Sequence, residues 1–173
     1  IFYLFDGFGE MWEHIVKHFL LDYVQNSLFL LLGSGLLSVL FGTSAAWIVV
    51  HYEFPFRKLI EWLLFLPLAI PSYIMAYSYV GILGNGGLLI RIFQPMGIDV
   101  PKIDMMNIYG LIWVLSCSLF PYVYAGSRAM FKSIPSSMRE SSDLLGASAT
   151  RYMFRIALPL ASPAIIGGLF LVS

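Results

Sequence analysis

The stretch from Arg139 to Pro159 reads RESSDLLGASATRYMFRIALP, and it is far more polar than the sequence around it. Of the 173 residues in the chain, 59% are hydrophobic and only 12% are charged, whereas an ordinary soluble domain has about 25% charged residues. This composition is typical of a membrane protein, so the polar stretch predicts a segment outside the membrane. The formal net charge is zero, and this balance gives no indication of nucleic acid as a partner.

Four apolar stretches around this segment lack Asp, Glu, Lys, Arg and His. A helix needs about 20 apolar residues to cross a bilayer core, and three of the stretches reach that length. The Gly84-Asn85-Gly86-Gly87 cluster is expected to end the second helix. The predicted spans are then 27–50, 61–83, 105–127 and 157–173, the last of them truncated. We therefore predict an all-α fold, a polytopic transmembrane helical bundle, of which this chain is a fragment.

Positive residues indicate which loops face the cytoplasm. Seven of the ten Lys and Arg residues lie after the first and third predicted spans. They are Arg57, Lys58, Arg128, Lys132, Arg139, Arg151 and Arg155. Because Lys and Arg accumulate on the cytoplasmic side, residues 128–156 are predicted to form a cytoplasmic loop. Residues 6–26 and 91–104 then face outward, and residues 1–26 are interpreted as the end of an upstream segment followed by an interfacial helix.

One group in the predicted interfacial helix has metal-ligand spacing. Glu10, His14 and His18 recur every four residues, so three ligands on one helical face could hold a divalent metal. A solvated polar face explains the same pattern. Glu13 and Lys17 form an i,i+4 pair on that side, which favours the solvated face. We therefore expect no metal and no cofactor.

Local signals predict the shape of the polar segment. Ser137 and Glu140 have the S-x-x-E spacing of a capping box, which predicts the start of a helix. Gly146 predicts its end, in a backbone conformation with positive φ. Ser148 can then cap a second helix. The prediction is a short helix, a glycine turn and a second helix, attached to the membrane on both sides.

The polar segment resembles the signature loop of type I permease subunits of ATP-binding-cassette (ABC) importers. That pattern is Glu-Ala-Ala, three residues, Gly, nine residues, Ile, any residue and Leu-Pro, and every spacing matches here. Small Ser141 and Ser142 replace the two Ala. The resemblance implies a coupling helix that docks on a cytoplasmic ATPase. The docking motif it implies comprises Glu140, Ser141, Ser142, Gly146, Ile156, Leu158 and Pro159.

Other stretches are similar to the ferric-iron permeases within this family. They are LPLAIPSY at residues 66–73 and PYVY at residues 121–124. The resemblance implies a multi-pass subunit that imports ferric iron across the bacterial cytoplasmic membrane. It also implies four partners: an ATPase dimer, an extracytoplasmic solute-binding protein, a second permease module and membrane lipid. Permeases for sulfate, polyamines, thiamine and phosphonates share the architecture, so another small solute is the alternative.

Two prolines inside the second predicted span are candidates for a functional bend. Pro67 and Pro71 each remove a backbone donor and bend a membrane helix. The bend is either a tolerated kink or a means of turning Ser72, Tyr73 and Tyr77 toward a passage. These five residues form the candidate translocation path.

Two sequence features weigh against other functions. No G-x-x-x-x-G-K-[ST] spacing occurs, so we expect no ATP hydrolysis in this chain and no enzyme activity. No ionisable residue lies deep in a predicted span, although ion-coupled carriers usually need one. A secondary carrier and a membrane subunit without transport activity remain as less favoured alternatives.

Overall fold

The computed structural model describes residues 20–84, 86–96 and 104–172. Residues 6–19 of the predicted outward segment, with Glu10, His14 and His18, lie outside these residues, whereas residues 20–26 lie within them. The described part forms α-helices and contains no β-strand, which confirms the all-α class. The helices are α1 (Leu21–His51), α2 (Arg57–Leu63), α3 (Ser72–Leu83), α4 (Leu88–Phe93), α5 (Ile108–Ser133), α6 (Ser136–Leu144), α7 (Ala149–Tyr152) and α8 (Leu158–Val172).

Within the residues that the structure describes, four helical segments are long and apolar enough to cross a membrane: Leu21–His51, Ser72–Phe93, Ile108–Ser133 and Ala149–Val172. The first of them, α1, has 31 residues and is about 46 Å long. This exceeds a bilayer core of about 30 Å. Helix α1 also begins before residue 27, the predicted start of the span. The last segment runs through α7, a π-helical stretch at Met153–Ala157 and α8.

The second predicted span, 61–83, is not one continuous helix. Helix α2 ends at Leu63, a 3₁₀ turn follows at Leu66–Ala69, and α3 begins only at Ser72. Ile70 is extended, with φ −108° and ψ 119°, because a residue before proline is driven away from the helical region. Pro71 then serves as the N-cap of α3. The two prolines therefore produce a break where the sequence predicted a bend.

The first residues of the predicted cytoplasmic loop 128–156 are helical. Helix α5 continues through Ser133 and includes Arg128 and Lys132. It ends at Ile134, which is extended with φ −70° and ψ 122°, because Pro135 follows it. Basic residues at the end of a helix remain compatible with the membrane interface, so their position in sequence did not mark the end of the helix.

Helix α5 lies at the centre of the bundle, and α1 and α8 both pack against it. Buried serines link α1 to α5. The Ser116 hydroxyl is placed to donate to the carbonyl oxygens of Ser34, at 3.3 Å, and Ile112, at 2.6 Å. Ser38 donates to the Ser116 carbonyl oxygen at 3.5 Å. Such bonds between membrane helices contribute about 0.6 kcal/mol each, and the small side chains allow a close approach.

Helices α1 and α5 approach each other closely at Gly42. A Cβ atom there would lie 2.8 Å from the backbone nitrogen of Tyr124 and 2.9 Å from the carbonyl oxygen of Phe120. Because these are backbone atoms, Gly42→Ala is expected to lower the free energy of unfolding by about 1–3 kcal/mol. Unfolding of the full-length protein in detergent measures this. The control is Gly81→Ala on α3, where nothing lies within 4 Å; equal losses would contradict the close contact.

The N-terminus of α5 is capped by a side chain. The Asn107 Oδ1 atom accepts a hydrogen bond from the Gly110 backbone N–H at 2.8 Å. Removing this acceptor in Asn107→Ala is expected to cost about 1 kcal/mol of stability. Thermal unfolding of the variant checks the value, and Asn107→Asp keeps an acceptor and should stay close to wild type. If Asp is as destabilising as Ala, the cap is not the cause.

Candidate functional site

Helix α6 forms the exposed part of the polar segment. Pro135 is its N-cap, and no side chain caps its first turn. The predicted capping box is therefore wrong: the helix begins at Ser136, so Ser137 lies within the first turn and not at the capping position. Glu140 and Ser141 are exposed. The Ser141 hydroxyl instead donates to the Ser137 carbonyl oxygen of the preceding turn, at 2.7 Å.

The glycine turn after α6 has the predicted conformation. Gly146 has φ +74°, which is unfavourable for residues with a Cβ atom. Its N–H donates to the Asp143 carbonyl oxygen at 2.9 Å, and the Ala147 N–H donates to the Ser142 carbonyl oxygen at 3.0 Å. This pair of bonds is a Schellman motif. It ends α6 abruptly and sets the direction in which the chain leaves the helix.

The return from α6 to the membrane begins at a second cap. The Ser148 hydroxyl accepts a hydrogen bond from the Arg151 backbone N–H at 3.3 Å, which confirms the predicted cap of α7. The π-helical stretch at Met153–Ala157 follows. It contains Ile156, and α8 then begins at Leu158 with Pro159 in its first turn.

The predicted docking motif divides into exposed and packed residues. Glu140, Ser141, Gly146 and Pro159 are exposed, whereas Ser142 is buried. Ile156 and Leu158 pack against the buried core. The exposed members are available to a partner, and the packed members hold the loop in place. Their role in docking stays a prediction.

An aromatic cluster attaches this loop to the bundle. Tyr152 of α7 is only 4% exposed. Its ring centroid lies 6.1 Å from that of Trp47 and 6.2 Å from that of His51, both on α1. Trp47 stacks on His51 at 3.6 Å, and Phe131 of α5 lies 5.6 Å from Trp47. We call these four residues the aromatic base. Through it the loop contacts α1 directly, and α5 by way of Trp47 and His51.

A groove separates α6 from the returning chain. Its volume is about 390 Å³, and its lining includes Met138, Ser142 and Tyr152. The Ser142 hydroxyl is buried and has no hydrogen-bond partner among the described residues. Leu144 and Leu145, at the end of α6, are 89% and 87% exposed. Sequence analysis missed these two residues, since their apolar side chains gave no sign of facing away from the bundle.

The candidate path residues lie where the second span breaks. Pro67 is in the 3₁₀ turn, and the Ser72 hydroxyl lies 3.3 Å from the Ser118 hydroxyl of α5. Tyr73 and Tyr77 are 69% and 82% exposed. The structure therefore brings the half-buried Ser72 into contact with α5 and leaves both tyrosines on the surface of the bundle. Their lining of a passage stays a prediction.

Metal-ligating side chains do not converge in the part of the chain that the structure describes. No group of three His, Cys, Asp or Glu residues there could hold a metal ion. Glu10, His14 and His18 lie outside that part. The candidate site is therefore a docking surface on α6 and its two flanking turns.

The structure is a helical membrane bundle with a short exposed helix between two spans. A family model described as "Binding-protein-dependent transport system inner membrane component" matches residues 38–173. The chain belongs to this family, the permease subunits of binding-protein-dependent ABC importers, and is a multi-pass protein of the cytoplasmic membrane.

Curated relatives carry names from two transport systems. The molybdenum transport system permease protein ModB of Haemophilus influenzae is 29% identical over 154 residues, which cover 86% of this chain and 63% of that protein. The probable sulfate transport system permease protein cysT of Chlorokybus atmophyticus is 26% identical over 164 residues, covering 95% and 56%. The sulfate transport system permease protein CysT of Escherichia coli is 23% identical over 168 residues, covering 95% and 58%. The chain thus spans little more than half the length of these relatives.

Proposed function

We propose that this chain belongs to the membrane pathway of an importer for a tetrahedral oxyanion, and that α6 is the element through which a cytoplasmic ATPase moves it. One structural observation supports the coupling role of α6. Helix α6 is exposed, is closed by the Schellman turn at Gly146, and is attached to α1 and α5 through the aromatic base. A force on α6 is therefore transmitted to two spans.

The coupling follows from the difference between two states of the partner. An ATPase that binds α6 differently in its open and closed forms shifts the permease between two conformations. We propose an ATPase dimer below the membrane, each subunit engaging one permease module, and a solute-binding protein outside it. The exposed side chains of Leu144 and Leu145 supply apolar area for the ATPase contact. Energy then comes from the ATPase, and this chain itself hydrolyses nothing.

The solute is inferred from the relatives. Their names refer to sulfate and molybdenum transport, and sulfate and molybdate are both tetrahedral dianions. The sequence alone placed ferric iron first and another small solute second. The relatives favour the second of these, so an oxyanion is the proposed solute and ferric iron is the competing outcome.

Uptake by whole cells tests both parts of the proposal. Radiolabelled sulfate, molybdate and ferric iron are offered separately to cells that lack the full-length gene and to cells that carry it. Loss of sulfate or molybdate uptake supports the oxyanion proposal, and loss of ferric iron uptake alone would overturn it in favour of iron. Copurification of an ATPase with the wild-type permease, reduced in Leu144→Ala/Leu145→Ala, supports the docking role of α6. An ATPase retained fully by that variant would contradict this role.

A further inference from the structure

A cluster of charged side chains joins α2 to α5 at the end of the bundle. The Glu61 Oε1 atom accepts from Lys132 Nζ at 2.9 Å and forms an ion pair with Arg128. Lys58 lies one turn before Glu61 on α2. The cluster therefore contains three cations and one carboxylate. Glu61 neutralises one positive charge, and two remain without a counter-charge within the cluster.

These side chains line a cavity of about 330 Å³, which we call the α2–α5 cavity. Its charged lining is Lys58, Glu61, Arg128 and Lys132, and its apolar lining is Trp62 and Phe65. The Arg128 Nε–H is buried, yet no acceptor for it exists among the described residues. A buried guanidinium donor that lacks an acceptor is costly, so this donor and the excess positive charge both favour an anionic occupant.

The position of the cavity selects the kind of anion. It lies near the end of a membrane span, and Trp62 is 77% exposed beside it. Trp side chains favour the level of the lipid headgroups, and basic pockets between membrane helices bind headgroup phosphates. A free anion would use the cations but would gain little from the apolar lining. A lipid would contact both the charged and the apolar lining of the cavity, with its phosphate on the cations and its acyl chain along Trp62 and Phe65.

We propose that the α2–α5 cavity binds the phosphate of an anionic lipid. Lys58 and the Arg128 Nε–H contact the phosphate, and Glu61 holds Arg128 and Lys132 in position. The inference does not depend on which solute is transported. On this proposal the lipid is a structural ligand that joins α2 to the central helix α5. Because α2 belongs to the broken second span, the lipid also holds that span in place.

Lipid binding to the full-length permease, purified with its ATPase in nanodiscs, tests the proposal. The probe is phosphatidylglycerol, titrated into phosphatidylcholine nanodiscs, and binding is measured by thermal shift and by native mass spectrometry. Phosphatidylglycerol should bind preferentially, and Lys58→Gln should weaken its binding about fivefold. Lys58→Arg should restore binding. Arg91→Gln, which removes a cation from α4, is the matched control and should leave binding unchanged.

Two results would overturn the proposal. One is phosphatidylglycerol binding that Lys58→Gln and Lys132→Gln both leave unchanged, since the lipid would then bind elsewhere. The other is Lys58-dependent binding of inorganic phosphate or sulfate in phosphatidylcholine nanodiscs without any preference for phosphatidylglycerol. That result would assign the cavity to a free anion. Variants that fail to fold are recognised by loss of the ATPase complex, and Lys58→Arg then decides whether charge at this position matters.

Discussion

Gly146→Val should abolish most transport while the protein still inserts into the membrane. Gly146 has φ +74°, a conformation that a β-branched residue adopts only with strain. The strain amounts to about 1–3 kcal/mol, and the chain relieves it by rotating out of the Schellman motif. The direction of α6 relative to the aromatic base then changes. Since each 1.4 kcal/mol changes an equilibrium about tenfold, docking of the ATPase is expected to weaken at least several-fold.

Solute uptake and ATPase copurification measure this effect, and a second substitution isolates its cause. Asn is tolerated at positive φ, so Gly146→Asn should keep most of the transport. Nothing lies within 4 Å of a Cβ atom at Gly146, so a steric clash within the chain does not explain a difference between Val and Asn. If Val transports as well as Asn, the backbone conformation of this turn is not needed for coupling.

Tyr152→Ala should both destabilise the protein and uncouple it. Tyr152 is 4% exposed and contacts Trp47 and His51 through its ring. Removing a buried aromatic ring costs about 3–5 kcal/mol. The remaining loop would still carry α6, but α7 would no longer be held against α1 by this ring. We expect unfolding in detergent at lower temperature, together with less solute transported per ATP hydrolysed.

Matched variants separate packing from general damage. Tyr152→Phe keeps the ring and should be close to wild type in both measurements. Phe154→Ala removes a ring of similar size from a position that is 61% exposed, two residues along the chain, and should cost much less stability. If Tyr152→Ala lowers stability but leaves the ratio of transport to ATP hydrolysis intact, the aromatic base stabilises the fold and takes no part in coupling.

The features that the sequence predicted correctly are those set by local chemistry. Gly146 was predicted at positive φ because few other residues adopt it, and Ser148 was predicted as a cap because its hydroxyl reaches a nearby N–H. The capping box failed for an equally local reason. Pro135 is the N-cap, so α6 begins at Ser136, one residue before Ser137. The S-x-x-E spacing alone did not show that the proline, and not Ser137, would cap the helix.

The features that the sequence did not predict depend on tertiary contacts. Lys132 and Glu61 are 71 residues apart in sequence, and their bond exists only because Glu61 of α2 lies beside the last turns of α5. The exposure of Leu144 and Leu145 follows from the direction that the Gly146 turn gives to α6. The solute is a similar case, since the resemblance to iron permeases rests on residues whose contact with any solute depends on the complete assembly.

The π-helical stretch at Met153–Ala157 determines the angular phase between α6 and α8. Each residue of an α-helix advances the chain by about 100° and 1.5 Å, so the wider π turn shifts every later side chain around the helix axis. Deleting one residue there would turn the faces of α8 by about a quarter of a circle relative to α6. If α6 binds an ATPase as proposed, residues 136–157 should therefore act as one unit, because α6 moved alone would be out of phase with its span.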